Sequence, residues 1–362
     1  MEKAGRVYVC HTYYHVFVSC LKELNRDRKE EFADLVISTL STDFEDFPQR
    51  FAECGIFRNV VLFDEKRDTD FPELAKWKED KGNIIANMRS RIRFTKEFAK
   101  LEAPFVPVDF KQYKEVYVFC DSDPIGYYLN QSKIYYHSVE DGLDTLKPFV
   151  QSRFDNRGHW KLKKFFSKKL NLIFIRDGYG KYCLDMEVNN LSVIDDDPDV
   201  YKEVPRDALM EALSKESKEL IIRTFIRDYD RMIEVCKNLD SDRKNIMILT
   251  EPLTPSFETR ERIFRDLIDK YSEEGTVFIK PHPRDDLDYK KCFPDVLQFD
   301  RTIPMEMFNF FEEFKFDLLV AVYTQLGAVK FAKEKIQLGN DFMDQYEDPS
   351  IHRKKEVLEQ SK

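Results

Sequence analysis

The sequence predicts an α/β protein made of two open, mainly parallel sheets that face each other across a cleft. Three observations carry that expectation. Short apolar runs of strand length alternate with longer amphipathic stretches along 362 residues, the pattern in which helices cover a parallel sheet. That length exceeds one ordinary core and suits about two domains of roughly 150 residues. Near the middle, the acidic, proline-bearing stretch VIDDDPDVYKEVPRD (193–207) interrupts the pattern as a domain connector does.

In chain order, RVYVC (6–10), LVIST (35–39), NVVLF (59–63), EVYVFC (115–120) and KIYYH (133–137) read as strands. Helices fit between them, at 14–24 and over the charged stretch 71–101. After the connector a helical pattern continues through Asn238. The second half offers strands at 245–249, 276–279 and 317–322, with helices at 256–271 and 326–334. The expected division is residues 1–195, a connector and helix at 196–240, a second domain at 241–345 and a tail at 346–362. In open sheets of this kind ligands bind beyond the carboxyl ends of the strands, so the strand-end loops are where chemistry is sought.

Composition narrows the partners. Hydrophobic residues at 42% and aromatics at 14% supply a core and exclude disorder, while 11 Gly and 15 Pro exclude a collagenous chain. With 58 Lys+Arg against 67 Asp+Glu, the net charge of −9 disfavours nucleic acid as the main partner. Cys10, Cys20, Cys54, Cys120, Cys183, Cys236 and Cys292 are scattered, with no Cys-x-x-Cys pair. They read as reduced thiols, not as a disulfide frame or zinc site. Neither an apolar signal core nor a membrane-length span occurs, so a cytoplasmic protein is expected.

Four strand-end motifs could carry chemistry. In IKPHPRD (279–285), Pro281 and Pro283 stiffen the loop that presents His282, and Lys280 and Arg284 flank it with cations. That set suits a phosphate; the plainer reading is a turn histidine on a solvated basic edge. In HSVEDGLDTL (137–146), Glu140 and Asp141 precede Gly142, a turn that aims one acid outward for general-base work, or simply caps the next helix. VCHTYYH (9–15) places His11, Thr12 and His15 at the end of the first strand, where Thr12 caps a helix whose free N–H groups suit an anion or hydroxyl. His11 and His15 also read as satisfied interior histidines. AVYTQLGAVKFA (321–332) reads as a strand entering a helix, with Thr324, Gln325 and the helix start available to a phosphate.

Two acidic clusters are weighed against these. Asp121-Ser122-Asp123 has the form of a divalent-metal motif, and Asp196–Asp199 is a second cluster, but no glycine-rich phosphate loop accompanies either. Helix capping by Asp121 or Asp123 is the expected role, and no metal is expected. Against the global charge, residues 156–176 contain no acid while Arg157, Lys161, Lys163, Lys164, Lys168, Lys169 and Arg176 are basic. Leu162, Phe165, Phe166 and Leu170, with Trp160 leading in, fall on one helical face, so 157–176 is a candidate for peripheral contact with an anionic membrane or an ordinary packed helix.

Taken together, Glu140-Asp141-Gly142, His282-Pro283 within KPHPR, the opening VCHTYYH and YTQLGA resemble the signatures of bacterial sialyltransferases of glycosyltransferase family 52, the lipooligosaccharide and capsule enzymes, with kinship to polysialyltransferases. The likeness spans about residues 6–335. It implies a GT-B fold, with the acceptor side in the first domain and the nucleotide sugar in the second. The donor would be CMP-sialic acid, the acceptor a hydroxyl of a cell-surface glycan, and the reaction inverting, with neither cofactor nor metal. His282 would bind the donor phosphate and assist its departure, Thr324 would help hold it, and Asp141 would face the acceptor or support the base. In the family a base aspartate follows the proline of the loop after the first strand of the second domain. Here that loop reads Leu249-Thr250-Glu251-Pro252-Leu253, so the position holds Leu253 and the base is either Glu251 or Asp141. Two alternatives stay open: a related transferase using CMP-Kdo or a CDP-polyol, and a non-catalytic glycan- or nucleotide-binding protein. The expected location is the cytoplasm, at the inner face of the membrane, and a homodimer is compatible with the sequence.

Overall fold

The computed structural model describes residues 4–26, 32–141, 159–194, 198–311, 314–327 and 329–353. The chain divides into two compact units, 1–221 and 222–362.

In the first unit, seven parallel strands form one sheet: β1 (Ala4–Cys10), β2 (Ala33–Ser38), β3 (Val60–Phe63), β4 (Tyr113–Phe119), β5 (Tyr136–Val139), β6 (Cys183–Val188) and β7 (Tyr201–Glu203). Their order is β3-β2-β1-β4-β5-β6-β7, so the direction of winding reverses between β1 and β4. The helices are α1 (Tyr13–Leu24), α2 (Phe47–Glu53), α3 (Ala75–Lys78), α4 (Ile84–Glu102), α5 (Pro124–Gln131), α6 (Trp160–Lys168) and α7 (Arg206–Ala212). Val7, Val9, Val36, Val116 and Val118 pack with Ile125, Leu129 and Tyr136 as one buried cluster. β-Branched residues dominate it because a parallel strand is covered on both faces.

Helix α8 (Lys215–Phe225) contains the division between the units, and α9 (Tyr229–Lys237) follows. The second unit holds a five-stranded parallel sheet of β8 (Lys244–Leu249), β9 (Gly275–Lys280), β10 (Leu297–Gln298), β11 (Phe316–Ala321) and β12 (Ala332–Gln337), ordered β10-β9-β8-β11-β12. Its winding reverses between β8 and β11. Helix α10 (Phe257–Ser272) covers this sheet with Ile263, Phe264 and Leu267, which pack on Ile246, Ile248 and Val277. Three short helices, α11 (Tyr289–Cys292), α12 (Gly339–Met343) and α13 (Pro349–His352), complete the described chain.

Several expectations are corrected. The stretch 326–334 is not a helix: a loop follows β11 and Ala332–Gln337 adds a parallel edge strand, with Leu318 opposite Glu334 and Val320 opposite Ile336. Phe331 is buried against Phe308 and Phe316, which draws the chain onto the sheet before a helix can start. The run 133–137 is mostly the turn before β5, and β6, β7, β10 and β12 were not expected. The helical stretch 71–101 is broken by Gly82, whose φ of +76° belongs to the left-handed region, before α4 begins. All seven cysteines are free. Among the described residues no helix is long and apolar enough to cross a membrane.

Candidate functional site

The two switch points of strand order coincide with two of the motifs singled out in the sequence, VCHTYYH after β1 and the stretch after β11, while the other two follow the neighbouring strands β5 and β9. In the first unit, β1 ends at Cys10 and the chain turns through His11 and Thr12 into α1. Thr12 is the N-cap, its hydroxyl accepting from the His15 N–H at 3.3 Å, as expected of a threonine before an apolar helical run. That turn sets two histidines edge to face, with ring planes 82° apart. His15 accepts the backbone N–H of His11 at Nδ1 (3.0 Å), so the neutral ring carries its proton on Nε2, which bonds Asp141 Oδ1. Burial keeps the His15 pKa below its ordinary value, despite the pull of Asp141. A neutral imidazole thus holds the Asp141 carboxylate, whose side chain is 38% exposed.

His11 is in the opposite state. Burial opposes its charging, but the charge and hydrogen bond of Glu65 (2.8 Å), with Asp123 and Asp141 behind, raise its pKa to about 9. Glu65 was not foreseen. It stands just past β3, accepts from Ser38 Oγ at 2.5 Å and from the Ile125 N–H at 2.7 Å, and so ties three strand ends together. Its only sequence signal is a carboxylate two residues after a strand whose neighbours present a histidine and a serine.

Glu140 and Asp141 part company. Glu140 is buried, accepts the Asn189 N–H at 2.8 Å and has its pKa raised by burial, against the opposing charge of Arg206. It braces the loop after β6 and does not face outward as a ligand group. Gly142 lies outside the described residues.

Asp121 and Asp123 do not cap α5 with their side chains. Asp121 is buried and accepts from Tyr136 Oη (2.7 Å), Ser138 Oγ (2.7 Å) and the Gly178 N–H (3.0 Å), with its pKa raised to about 8 by burial and the nearby Asp177. Asp123 stands at the N-cap position without a side-chain cap bond, 3.7 Å from His11 Nε2. Between β4 and these acids Cys120 takes φ +54°, the left-handed region that a non-glycine residue enters only when its surroundings enforce it. His11, His15 and Cys120 cluster closely enough to bracket a metal ion. Both His15 nitrogens and His11 Nε2 already hold hydrogen-bond partners, His11 Nδ1 has none among the described residues, and burial raises the Cys120 pKa well above its ordinary value.

In the second unit, β9 ends at Lys280 and delivers the His-Pro loop. His282 N–H donates to Thr250 Oγ1 (3.0 Å), and His282 Nδ1 accepts the Arg284 N–H (3.1 Å). The neutral ring therefore also carries its proton on Nε2, and that atom has no partner among the described residues. Burial first, then Arg284 and Lys280, push the His282 pKa down to about 4. Pro283 is half-buried and Arg284 exposed beside the imidazole. Beneath the loop, buried Asp285 accepts from Arg260 Nη1 (2.5 Å) and Tyr289 Oη (2.7 Å). Arg260 sits on the apolar stripe of α10, three residues before Ile263, and a buried arginine there called for a carboxylate partner.

Two expected ligand groups are occupied otherwise. Lys280 is buried, donates to the carbonyls of Pro281 (2.7 Å) and Arg301 (3.2 Å), and has its pKa lowered by burial to about 7. It braces the loop from behind. Glu251, at the end of β8, accepts the Tyr323 N–H (2.8 Å), the Thr324 N–H and the Thr324 hydroxyl. It thus spans the switch point between β8 and β11 and collects the donors that sequence reasoning had reserved for a phosphate. Among the described residues no helix start follows Thr324, and Gln325 is exposed. Burial raises the Glu251 pKa, opposed by those same donors.

The comparisons with known proteins agree with this architecture. The family model described as glycosyltransferase family 52 matches residues 58–326. An uncharacterized protein of Haemophilus influenzae is 32% identical over 124 residues, which cover 31% of this chain and 40% of that protein's length. Among solved structures, an α/β-galactoside α-2,3-sialyltransferase from Photobacterium phosphoreum is 11% identical with a TM-score of 0.51, covering 92% of this chain and 90% of its own. A UDP-N-acetylglucosamine 2-epimerase from Listeria monocytogenes, itself described as putative, is 12% identical with a TM-score of 0.47, over 90% and 76% of the two chains. The likeness to the sialyltransferase is one of fold, and with the two parallel sheets it bears out the expected GT-B type.

Proposed function

The chain belongs to glycosyltransferase family 52, and from that premise we propose that it moves sialic acid from CMP-sialic acid to a hydroxyl of a cell-surface glycan, with inversion and without a metal. The observation that carries this reading is the state of His282: a neutral imidazole, held by its own loop, with Nε2–H left to donate.

In this reading the acceptor hydroxyl gives its proton to Asp141 as its oxygen bonds the anomeric carbon. The bond from that carbon to the CMP phosphate oxygen breaks, and the electron pair leaves with the phosphate. His282 Nε2–H meets the developing charge and Arg284 adds a cation beside it, which is stabilisation of the transition state more than of the ground state. Once the phosphate arrives, its charge offsets what depressed the imidazole, and the proton can follow the leaving group.

Asp141 is favoured over Glu251 as the base. A general base needs an oxygen within reach of the substrate proton. Both oxygens of Glu251 are taken by backbone and hydroxyl donors of its own unit, whereas the Asp141 side chain, bonded by a neutral histidine, is 38% exposed and so within reach of a substrate hydroxyl. His15 is then a positioning residue.

Donor hydrolysis with CMP-sialic acid, CMP-Kdo and CDP-glycerol tests the reading. Turnover of the first alone supports it. Turnover of one of the others, with none of CMP-sialic acid, replaces the donor, and no turnover of any by a folded protein that binds CMP points to a binding protein.

A further inference from the structure

We infer that the first unit carries a surface that docks on anionic lipid, made by the outward face of α6 and the first turn of α4. The inference goes beyond the transfer reaction and does not depend on its donor.

Helix α6 is inverted relative to its sequence pattern. Trp160 and Phe166 turn inward onto the cluster of Ile173, Ile175 and Tyr179, and the Ser167 hydroxyl donates to the Tyr179 carbonyl at 2.7 Å. These residues secure the helix to the unit. Leu162 and Phe165 face the other way, 50% and 49% exposed, and Leu170 just past the helix is 44% exposed. At 100° per residue, Lys161, Leu162, Phe165 and Lys169 share this outer face, so two apolar side chains sit between two exposed lysines. About half of each of these two apolar side chains is left to solvent, and apolar side chains beside lysines suit the boundary between headgroups and acyl chains.

A second exposed apolar point lies near the start of α6. Ile84 and Ile85, the first residues of α4, are 73% and 68% exposed. Ile84 lines a cavity of about 480 Å³ together with His159 and Lys163 at the start of α6. The two helix starts are therefore neighbours across one cavity mouth. The acids on that cavity are engaged: Asp68 pairs with Lys78, Glu79 with Lys81, and Asp80 accepts from the Gly82 N–H and Asn87 Nδ2 at 2.8 and 2.7 Å.

Charge decides the occupant. The stretch 159–176 contains Lys161, Lys163, Lys164, Lys168, Lys169 and Arg176 and no acid, in a chain whose net charge is −9. A basic segment with outward Leu and Phe on an acidic protein matches a negatively charged bilayer surface, where each lysine contributes about a fivefold gain in binding. Neutral lipid would attract only the apolar side chains.

The test is sedimentation of the full chain with vesicles of phosphatidylglycerol and phosphatidylcholine, and with phosphatidylcholine alone. Co-sedimentation with the anionic vesicles and not the neutral ones is expected. The double variant K161E/K169E should lower partitioning roughly 25-fold or more, and L162S/F165S should lower it as well, with circular dichroism unchanged because none of the four packs in the core. K290E/K291E, on the second unit, should bind as the unaltered chain does. Equal binding to neutral vesicles, no binding to anionic ones, or full binding by either α6 variant would overturn the inference.

Discussion

Each unit presents a histidine just past a strand end, His15 in the first turn of α1 and His282 in the loop after β9, and the two are prepared in the same way for different ends. His15 and His282 both accept a backbone N–H at Nδ1, which leaves the proton on Nε2, and burial lowers the pKa of both. His15 spends its Nε2–H inside the protein on Asp141, whereas that of His282 has no partner among the described residues and, in the proposed reading, meets the donor phosphate. The difference teaches that a depressed pKa does not by itself distinguish a positioning histidine from a binding one. What distinguishes them is where the remaining N–H goes.

The comparison breaks most visibly at the carboxylate. Asp141→Asn should lower the transfer rate about 10³-fold, the range for losing a general base, while Glu251→Gln should cost roughly tenfold or less because that side chain shapes a loop. Initial rates with CMP-sialic acid decide between them, and the reverse order would return the base to Glu251. His15→Ala should lower kcat with KM nearly unchanged, with partial recovery in His15→Gln, as a positioning role requires.

On stability, each unit holds buried ion pairs, Arg6–Glu23 and Lys22–Glu187 in the first and Arg260–Asp285 in the second. Asp285→Ala leaves Arg260 charged and buried, and should cost about 3–5 kcal/mol in denaturant unfolding. Replacing both by apolar residues should recover most of that loss.

A smaller contrast concerns pH. The raised pKa of His11 stabilises the fold below its unfolded pKa near 6.5, and that contribution, about 3 kcal/mol at the limit, fades as pH rises toward 9. His282, depressed to about 4, acts with the opposite sign, so stability falls as pH drops from 6.5 toward 4. His11→Gln should flatten the alkaline side of the stability curve and leave the acidic side in place.

Much of this was legible in the sequence, for identifiable reasons. Apolar runs such as VYVC and VYVF show their burial directly, and Thr12 before an apolar helix announces its cap. The His-Pro loop was legible because two prolines restrict it. Glu251 and Lys280 were misread because sequence shows that a polar group is present but not that its hydrogen bonds are already used. The 326–334 segment was misread because Leu326 and Val329 fit helical spacing, while burial of Phe331 among Phe308 and Phe316 is a long-range fact. Glu65 has little local signal, since its partners come from three separate segments, Ser38 at the end of β2, His11 after β1 and Ile125 at the start of α5.

The division of labour between the two histidine loops is tested most directly by calorimetric titration of CMP into His282→Gln and Asp141→Asn. Loss of one hydrogen bond to a charged phosphate predicts a dissociation constant roughly 10- to 100-fold higher for His282→Gln, with Asp141→Asn within about twofold of the unaltered chain. CMP affinity that survives in His282→Gln and falls in Asp141→Asn would contradict the assignment of the leaving phosphate to the second unit.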